Sequence, residues 1–316
     1  MGDRLNLKLS HRLVRGFSLP TRPPEMLEAI KTQSAFVQTP PEVMAVIVRD
    51  LALAARILQA ANTLLTGHNR QVGSIESARV LLGQEKVREI THELFLEVDI
   101  ARKASWMQTQ RLRAVRAARL TAWLAREVTR LSPGIQSGHL PVVPHEEAYV
   151  LGLFHDCGKM VLLRHFADYP DLLTQERDVT RQPLEALEMA QYQTHHAVLG
   201  GLLAESWQLP RPLVHLIETH HQPDTFAGRP VSERPYLLLH AILFMTEWLE
   251  GDLTAWEWEQ HRDHFQQLFG LDDDRLRHLQ EQAVVEIGAA DGQVPGPANN
   301  RSTLGGDDFK PRQRGQ

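Results

Sequence analysis

Helix-start residues followed by apolar residues three and four apart recur along this chain, while strand-forming runs are scarce. After Asp50, whose carboxylate can accept from a first-turn N–H, apolar residues fall at Leu51, Ala54, Leu58 and Ala61. That spacing places them on one face of a helix over 51–65. Asn62 then stands as a mid-helix polar residue in need of a partner. Thr39 and Glu42 have the spacing of a capping box ahead of Val43, Val46 and Ile47. Pro23 and Pro24 open another helical stretch to Ile30, because a first-turn proline lacks only an N–H that had no partner there. Ser74 starts a helix that stops at Gly83, and two more are expected over 85–98 and 105–131. Ser132-Pro133-Gly134 closes the last of these, and a loop runs to Pro144. Further helices are expected over 145–154, 183–192, 196–208, 212–220, 235–249, 255–268 and 273–287. Of the residues, 42% are hydrophobic and only 6% aromatic, and the abundant Leu and Ala lose little rotamer freedom in a helix. The expectation is an all-α protein with a sizeable core.

The loop over 132–144 is the best boundary. It separates an N-terminal segment (1–19) and a front helical part (20–131) from a histidine-rich back part (145–287). The Gly-, Pro-, Asn-, Asp- and Arg-rich residues 288–316 show no apolar period and are expected to form a disordered tail. No apolar run approaches the ~20 residues of a membrane helix, so no membrane association is expected. Residues 1–17 scatter Arg4, Lys8, Arg12 and Arg15 among leucines and lack the continuous apolar core of a secretory signal. The net charge of -5 and pI of about 6.3 give no electrostatic push toward nucleic acid, which is not an expected partner. The single cysteine, Cys157, cannot form an internal disulfide and fits a reducing compartment. The expected location is the cytoplasm.

Eight of the sixteen histidines lie between positions 155 and 240, among them His155, His195-His196, His215, His220-His221 and His240. Imidazole and carboxylate are the ligand set for Zn, Fe, Mn or Ni. A lone helical histidine is more often packed or exposed than a ligand, so clustering by itself leaves both readings open. The segment Gly152-Leu153-Phe154-His155-Asp156-Cys157-Gly158-Lys159 is more specific. An adjacent His-Asp at a helix end can aim a nitrogen and a carboxylate at one point, Gly158 permits a close turn, and Lys159 could meet a phosphate. Arg116, Arg119, Arg126 and Arg130 form a stripe along the 105–131 helix. They are either a contact for phosphate, an effector or an acidic partner, or a solvated face. Cys157 reads as a packed small residue or a redox sensor. Trp256, Trp258, Phe265 and Phe269 read as core or as a partner surface.

Leu153 to Lys159 resembles the L-x-H-D-I-G-K signature of the HD superfamily of metal phosphohydrolases, with Cys157 in place of the usual Ile. The front half is similar to one branch of it, the HDOD family of HD-related output domains. Asp50-Leu51-Ala52-Leu53-Ala54-Ala55-Arg56-Ile57-Leu58-Gln59-Ala60-Ala61-Asn62 is similar to that family's D-P-A-L-A-x-x-L-L-x-x-A-N, with Leu51 replacing Pro. Ser74-Ile75-Glu76-Ser77-Ala78-Arg79-Val80-Leu81-Leu82-Gly83 is similar to S-I-x-x-A-I-x-x-L-G, with Arg79 replacing Ile. The resemblance runs from about Pro23 to about Trp248. It implies an HD-like helical bundle, over 145–287, packed against the N-terminal helical bundle.

Active HD enzymes, by this resemblance, hold metal with an upstream-helix His, the His-Asp pair and an Asp from a late helix. Two-metal members add further His residues between. Here His155 and Asp156 match, His196 looks like the His of H-A-x-x-G, and His220-His221 look like H-H-x-P. Two anchors depart. The upstream helix has no histidine, and Ala117 stands at the aligned position on the same apolar face as Leu120, Leu124, Val128 and Leu131. Leu243 stands where the late Asp is expected. The remaining His155, Asp156, His196, His220 and His221 could hold one divalent metal (Fe, Mn, Zn or Ni), with His240 as a substitute. Otherwise they form a buried polar network satisfied among themselves and by water. No catalytic residue is assigned. The expectation is a bacterial intracellular signal-transduction protein that binds a signalling partner or small effector through a degenerate site, its input coming from a separate molecule or a ligand pocket. The alternative is a metal-dependent phosphohydrolase or phosphodiesterase acting on a nucleotide or other phosphoester.

Overall fold

A computed structural model describes residues 6–17, 19, 48–67, 70–96, 104–175, 182–222 and 234–291. All regular structure among them is helical. The helices expected after Pro23 and Thr39 lie outside the described residues, as do 292–316 of the expected tail. No helix among the described residues is long and apolar enough to cross a membrane.

The front bundle is built on α2 (Leu51–Leu64) and α3 (Ile75–Leu96). Asp50 caps α2 by accepting from Leu53 N at 3.0 Å. Its other oxygen takes Arg111 at 2.9 Å, which ties α2 to α4 (Ala104–Leu131). Asn62 finds its partner in the α2–α3 connection. It donates to Val72 O at 3.0 Å and accepts from Val72 N at 2.8 Å, pinning the chain before Ser74. At Gly83 the backbone of α3 turns out of helical geometry (φ 73°, ψ 165°), so the expected stop is a kink between two helical segments. That positive φ is where glycine costs least.

The back bundle begins after α5 (Pro133–Gln136) and comprises α6 (His145–Phe154), α7 (Cys157–His165), α8 (Tyr169–Leu173), α9 (Leu184–Tyr192), α10 (His196–Ser206) and α11 (Arg211–Thr219). It is completed by α12 (Arg234–Glu250), α13 (Ala255–Phe269) and α14 (Asp273–Asp291). α14 continues through residues expected to belong to the tail. α4 packs along α6 with Leu120, Leu124 and Val128 buried. The two backbones approach closely at Gly152, where an added Cβ would lie 2.8 Å from Ala117 O and 2.5 Å from Thr121 Oγ1. α7 and α8 are not apparent in the sequence pattern. α7 buries seven of its nine residues and α8 is only five residues long, so neither shows an amphipathic stripe.

The two bundles share one continuous core. Tyr149 Oη donates to Val48 O at 2.7 Å and Gln59 Nε2 to Ser206 O at 2.8 Å across the junction. A further helix, α1 (Leu7–Val14), lies in the N-terminal segment and packs on the back bundle. Ser10 Oγ meets Thr194 Oγ1 at 2.8 Å there. Of the C-terminal aromatics, Trp258, Phe265 and Phe269 are core residues, Trp258 stacking on Trp248 at 4.5 Å between ring centroids. Cys157 is buried against Gly200, and burial pushes its thiol pKa up, which leaves it a packed residue without thiolate character.

Candidate metal centre

The end of α6, the starts of α7 and α10, the end of α11 and the middle of α12 meet at one point in the back bundle. His155 closes α6, and Asp156 occupies the turn before α7. His196 is the first residue of α10, while His220 and His221 follow α11 directly. α7 lies against α10 with almost no separation at Gly158. A Cβ built there would fall 1.9 Å from His196 O and 2.7 Å from Gly200 N. The glycine of the signature thus sets the distance between Asp156 and His196.

The hydrogen bonds fix the ring orientations. His155 Nδ1 donates to Gly152 O at 2.9 Å, and His220 Nδ1 donates to Ile217 O at 2.7 Å. A carbonyl can only accept, so each neutral ring presents Nε2 as a lone pair. His196 Nδ1 lies 2.7 Å from Glu188 Oε2, which also accepts from the His196 backbone N–H at 2.8 Å. The other oxygen of Glu188 takes the Tyr169 hydroxyl. Burial alone would raise the Glu188 pKa, but these bonds and the His196 ring hold it below the ordinary carboxylate value. Such a carboxylate–imidazole pair orients a ring and makes its outward nitrogen more basic.

The outward atoms converge. His196 Nε2 is 3.2 Å from His220 Nε2 and 2.9 Å from His221 Nε2. Asp156 Oδ1 lies 3.4 Å from His196 Nε2 and 3.8 Å from His220 Nε2. Glu247, from α12, brings Oε1 to 3.5 Å of His220 Nε2 and Oε2 to 3.6 Å of His221 Nδ1. Burial pushes the pKa of His155 down and those of His220 and His221 well down, so these rings stay neutral. Burial, aided by Asp156 and Asp252, pushes Glu247 well above the carboxylate range. Asp156 goes the other way. Desolvation would raise it, but Lys159 and the surrounding imidazoles hold it well below its usual value.

These atoms are almost all acceptors. Asp156 Oδ1, both Glu247 oxygens and His221 Nδ1 are buried with no hydrogen-bond partner among the described residues. The opposed Nε2 lone pairs of His196 and His220 cannot bond each other while both rings are neutral. Buried polar atoms are rarely left in this state, and a cation at the centre would satisfy Asp156 Oδ1, a Glu247 oxygen and the converging Nε2 atoms together. The spacing agrees. Two ligands about 2.1 Å from one metal lie roughly 3.0–3.4 Å apart between right-angle and tetrahedral arrangements. His196, His220 and His221 thus form a cluster able to hold a metal ion. The donors present fit such an ion, with Asp156 and Glu247 beside them.

All five residues expected at the site, His155, Asp156, His196, His220 and His221, are brought together. His240 is not among them, since its Nε2 donates to His220 O at 3.1 Å and braces that turn. Lys159, Arg116 and Arg119, the expected phosphate or effector contacts, each have an acidic neighbour. Lys159 is buried with Nζ 2.5 Å from Asp156 Oδ2. Arg116 grips Glu250 with Nε at 2.6 and 2.8 Å, and Arg119 turns toward Glu286 at 3.9 Å. Ala117 is buried as expected.

Sequence reasoning missed Glu247, Glu188, Arg113 and Asp252. The late helix does carry an acidic residue at the site, one turn beyond the expected Leu243. Positions four apart share a helix face. An isolated Glu inside the apolar run from Ile242 to Leu249 was the available signal. The upstream helix delivers Arg113, one turn before Ala117, in an ion pair with Asp252.

Comparison with known proteins agrees with this architecture. The HDOD domain model matches residues 19–223, and the chain belongs to the HDOD family. A curated relative from Treponema pallidum (strain Nichols), described as an uncharacterized protein, is 23% identical over 243 residues. These make up 74% of this chain and 42% of that protein, so the chain spans less than half the length of its relative. The crystal structure of the MmoQ response regulator from Methylococcus capsulatus str. Bath has a TM-score of 0.56 at 22% identity, covering 84% of this chain and 98% of the other. A virulence factor from Campylobacter jejuni subsp. jejuni has a TM-score of 0.55 at 15% identity, covering 88% and 96%. Both share the fold.

Proposed function

We propose that this chain is a cytoplasmic signal-transduction module in which a buried divalent metal centre locks the helices of the HD-like bundle, the output being a conformation read by a partner protein or set by a small effector. The observation that carries this reading is the convergence of the His196, His220 and His221 ring nitrogens on Asp156 and Glu247, whose buried oxygens Asp156 Oδ1, Glu247 Oε1 and Glu247 Oε2 have no hydrogen-bond partner among the described residues. A metal there would join α6, α10, α11 and α12 at one point. The site is also closed. His196 and His220 are fully buried, and even Asp156 exposes only 12% of its side chain. Its buried cation, Lys159, is held by Asp156, which argues against a ready phosphate cradle. The shared fold with a protein described as a response regulator is consistent with a signalling role. Imidazole with carboxylate suits Fe, Mn, Zn or Ni.

Elemental analysis of the purified chain beside Asp156→Ala tests the reading. Near-stoichiometric metal in the wild type, lost in the variant, is expected. A metal-free wild type that also gains no thermal stability from added Mn(II), Fe(II), Zn(II) or Ni(II) would refute it. Hydrolysis of phosphoesters that persists through purification and disappears in Asp156→Ala would establish the phosphohydrolase alternative instead.

A further inference from the structure

The acceptors around Asp156 form two groups that share its carboxylate. On the Oδ1 side stand His196, His220, His221 and Glu247, with no protein cation among the described residues there. On the Oδ2 side stand His155, with Nε2 at 3.5 Å, and then Asp252. Here cations are already installed. Lys159 Nζ is 2.5 Å from Asp156 Oδ2 and 3.6 Å from Asp252 Oδ1, and the Arg113 guanidinium pairs with that same Asp252 oxygen. Asp156 and Asp252 against Lys159 and Arg113 make a neutral set of four. Lys159 is buried, with its Nζ held between the two carboxylates.

A dication entering on the Oδ2 side would face an ammonium at contact distance and a guanidinium behind Asp252. In a site this dry, like charges are poorly screened. Displacing Lys159 would strand its charge in the core, a heavily penalised state. The Oδ1 side has the opposite balance, with an unpartnered carboxylate, three imidazoles and no Lys or Arg among the described residues.

We propose that Lys159 and Arg113 occupy the place of a second cation, so that the centre takes a single divalent metal ion, on the His196–His220–His221 side of Asp156. This rests on the metal-centre reading above. Asp156 then binds the metal through one oxygen and an internal ammonium through the other, and does not bridge two metals. His155 serves the lysine side of the carboxylate.

The experiment is a Mn(II) titration of the chelator-stripped full chain, read by elemental stoichiometry after desalting and by electron paramagnetic resonance. One equivalent per chain is expected, with the hyperfine pattern of an isolated ion. Lys159→Met should open the Oδ2 side and admit a second equivalent with an exchange-coupled spectrum. Because Lys159→Met strips a buried pair and endangers folding, Arg113→Met, at the half-buried end of the network, is run beside it with the same expected gain. Two coupled ions in the wild type overturn this proposal and leave the metal centre standing. So does one-equivalent binding with an unchanged spectrum in whichever variants fold. No binding of Mn(II) in the wild type, with the same result for Fe(II), Zn(II) and Ni(II), overturns both readings.

Discussion

Glu247→Gln should change stability in opposite directions with and without metal. In the metal-free chain Glu247 is a buried carboxylate whose two oxygens lack hydrogen-bond partners. Its pKa is raised well above the ordinary value by burial and by Asp156 and Asp252, so the folded chain holds a proton that the unfolded chain releases. Stability from this group is therefore complete below about pH 4.3 and is lost as pH rises toward the folded pKa, at about 1.4 kcal/mol per unit. At neutral pH the carboxylate is a burden. An unsatisfied buried acceptor costs on the order of 1–3 kcal/mol, and the neutral amide removes the charged part of that cost. A gain of about 1–2 kcal/mol, a few degrees in Tm for a chain of this size, is expected with chelator present. With metal the sign reverses. Loss of groups that merely support ligands lowers affinity about 10–100-fold, and loss of a carboxylate facing the ion should do at least as much. At a fixed free-metal concentration above both dissociation constants, that removes about 1.4–2.7 kcal/mol of ligand-linked stabilisation. Thermal and urea melts of both proteins, in chelator and in buffered free metal, read all four states. A Glu247→Gln protein less stable than wild type in chelator would show that the carboxylate is well partnered in the metal-free fold and would refute the reasoning.

Other consequences are equally direct. Glu188→Gln keeps an acceptor for His196 but removes the negative charge behind its ring, and should weaken metal binding about 10-fold or more in competition with a chromophoric chelator. Unchanged affinity would limit Glu188 to packing. Gly158→Ala places a methyl group 1.9 Å from the His196 carbonyl, backbone against backbone, and should cost more than about 3 kcal/mol or abolish soluble protein. A melt within a degree of wild type would contradict the close α7–α10 packing. In chelator, Glu247→Gln protein should lose stability as pH falls below about 6.5. Burial depresses the pKa values of His155, His220 and His221, so the unfolded chain takes up protons first, by up to about 1.4 kcal/mol per group and pH unit. Equal urea midpoints at pH 7.5 and 5.5 would count against these three rings being held neutral.

Much of this protein is legible before any coordinates. The period of the apolar residues, the Asp50 cap, the break in helical geometry at Gly83 and the limits of α6 follow from interactions within three or four residues, which a linear chain displays. The His155-Asp156 turn is legible for the same reason. The other expected ligands, His196, His220 and His221, came from short motifs learned from relatives. What the chain alone does not display is who answers whom across the bundle. Asn62, polar in mid-helix, needs a partner, but only the fold supplies Val72. Arg116 lies on a stripe that reads as surface until Glu250, on another helix, is found against it. Glu188, Asp252 and Arg113 sit in unremarkable sequence, Glu247 is marked only by its isolation in an apolar run, and their pKa shifts and pairings arise when helices distant in the chain exclude water around them. Helix propensity and local caps are short-range and were readable from the residues. The charge balance at Asp156, and with it the character of the site, depends on separations set by Gly152 and Gly158 at two helix crossings, and only tertiary packing decides those.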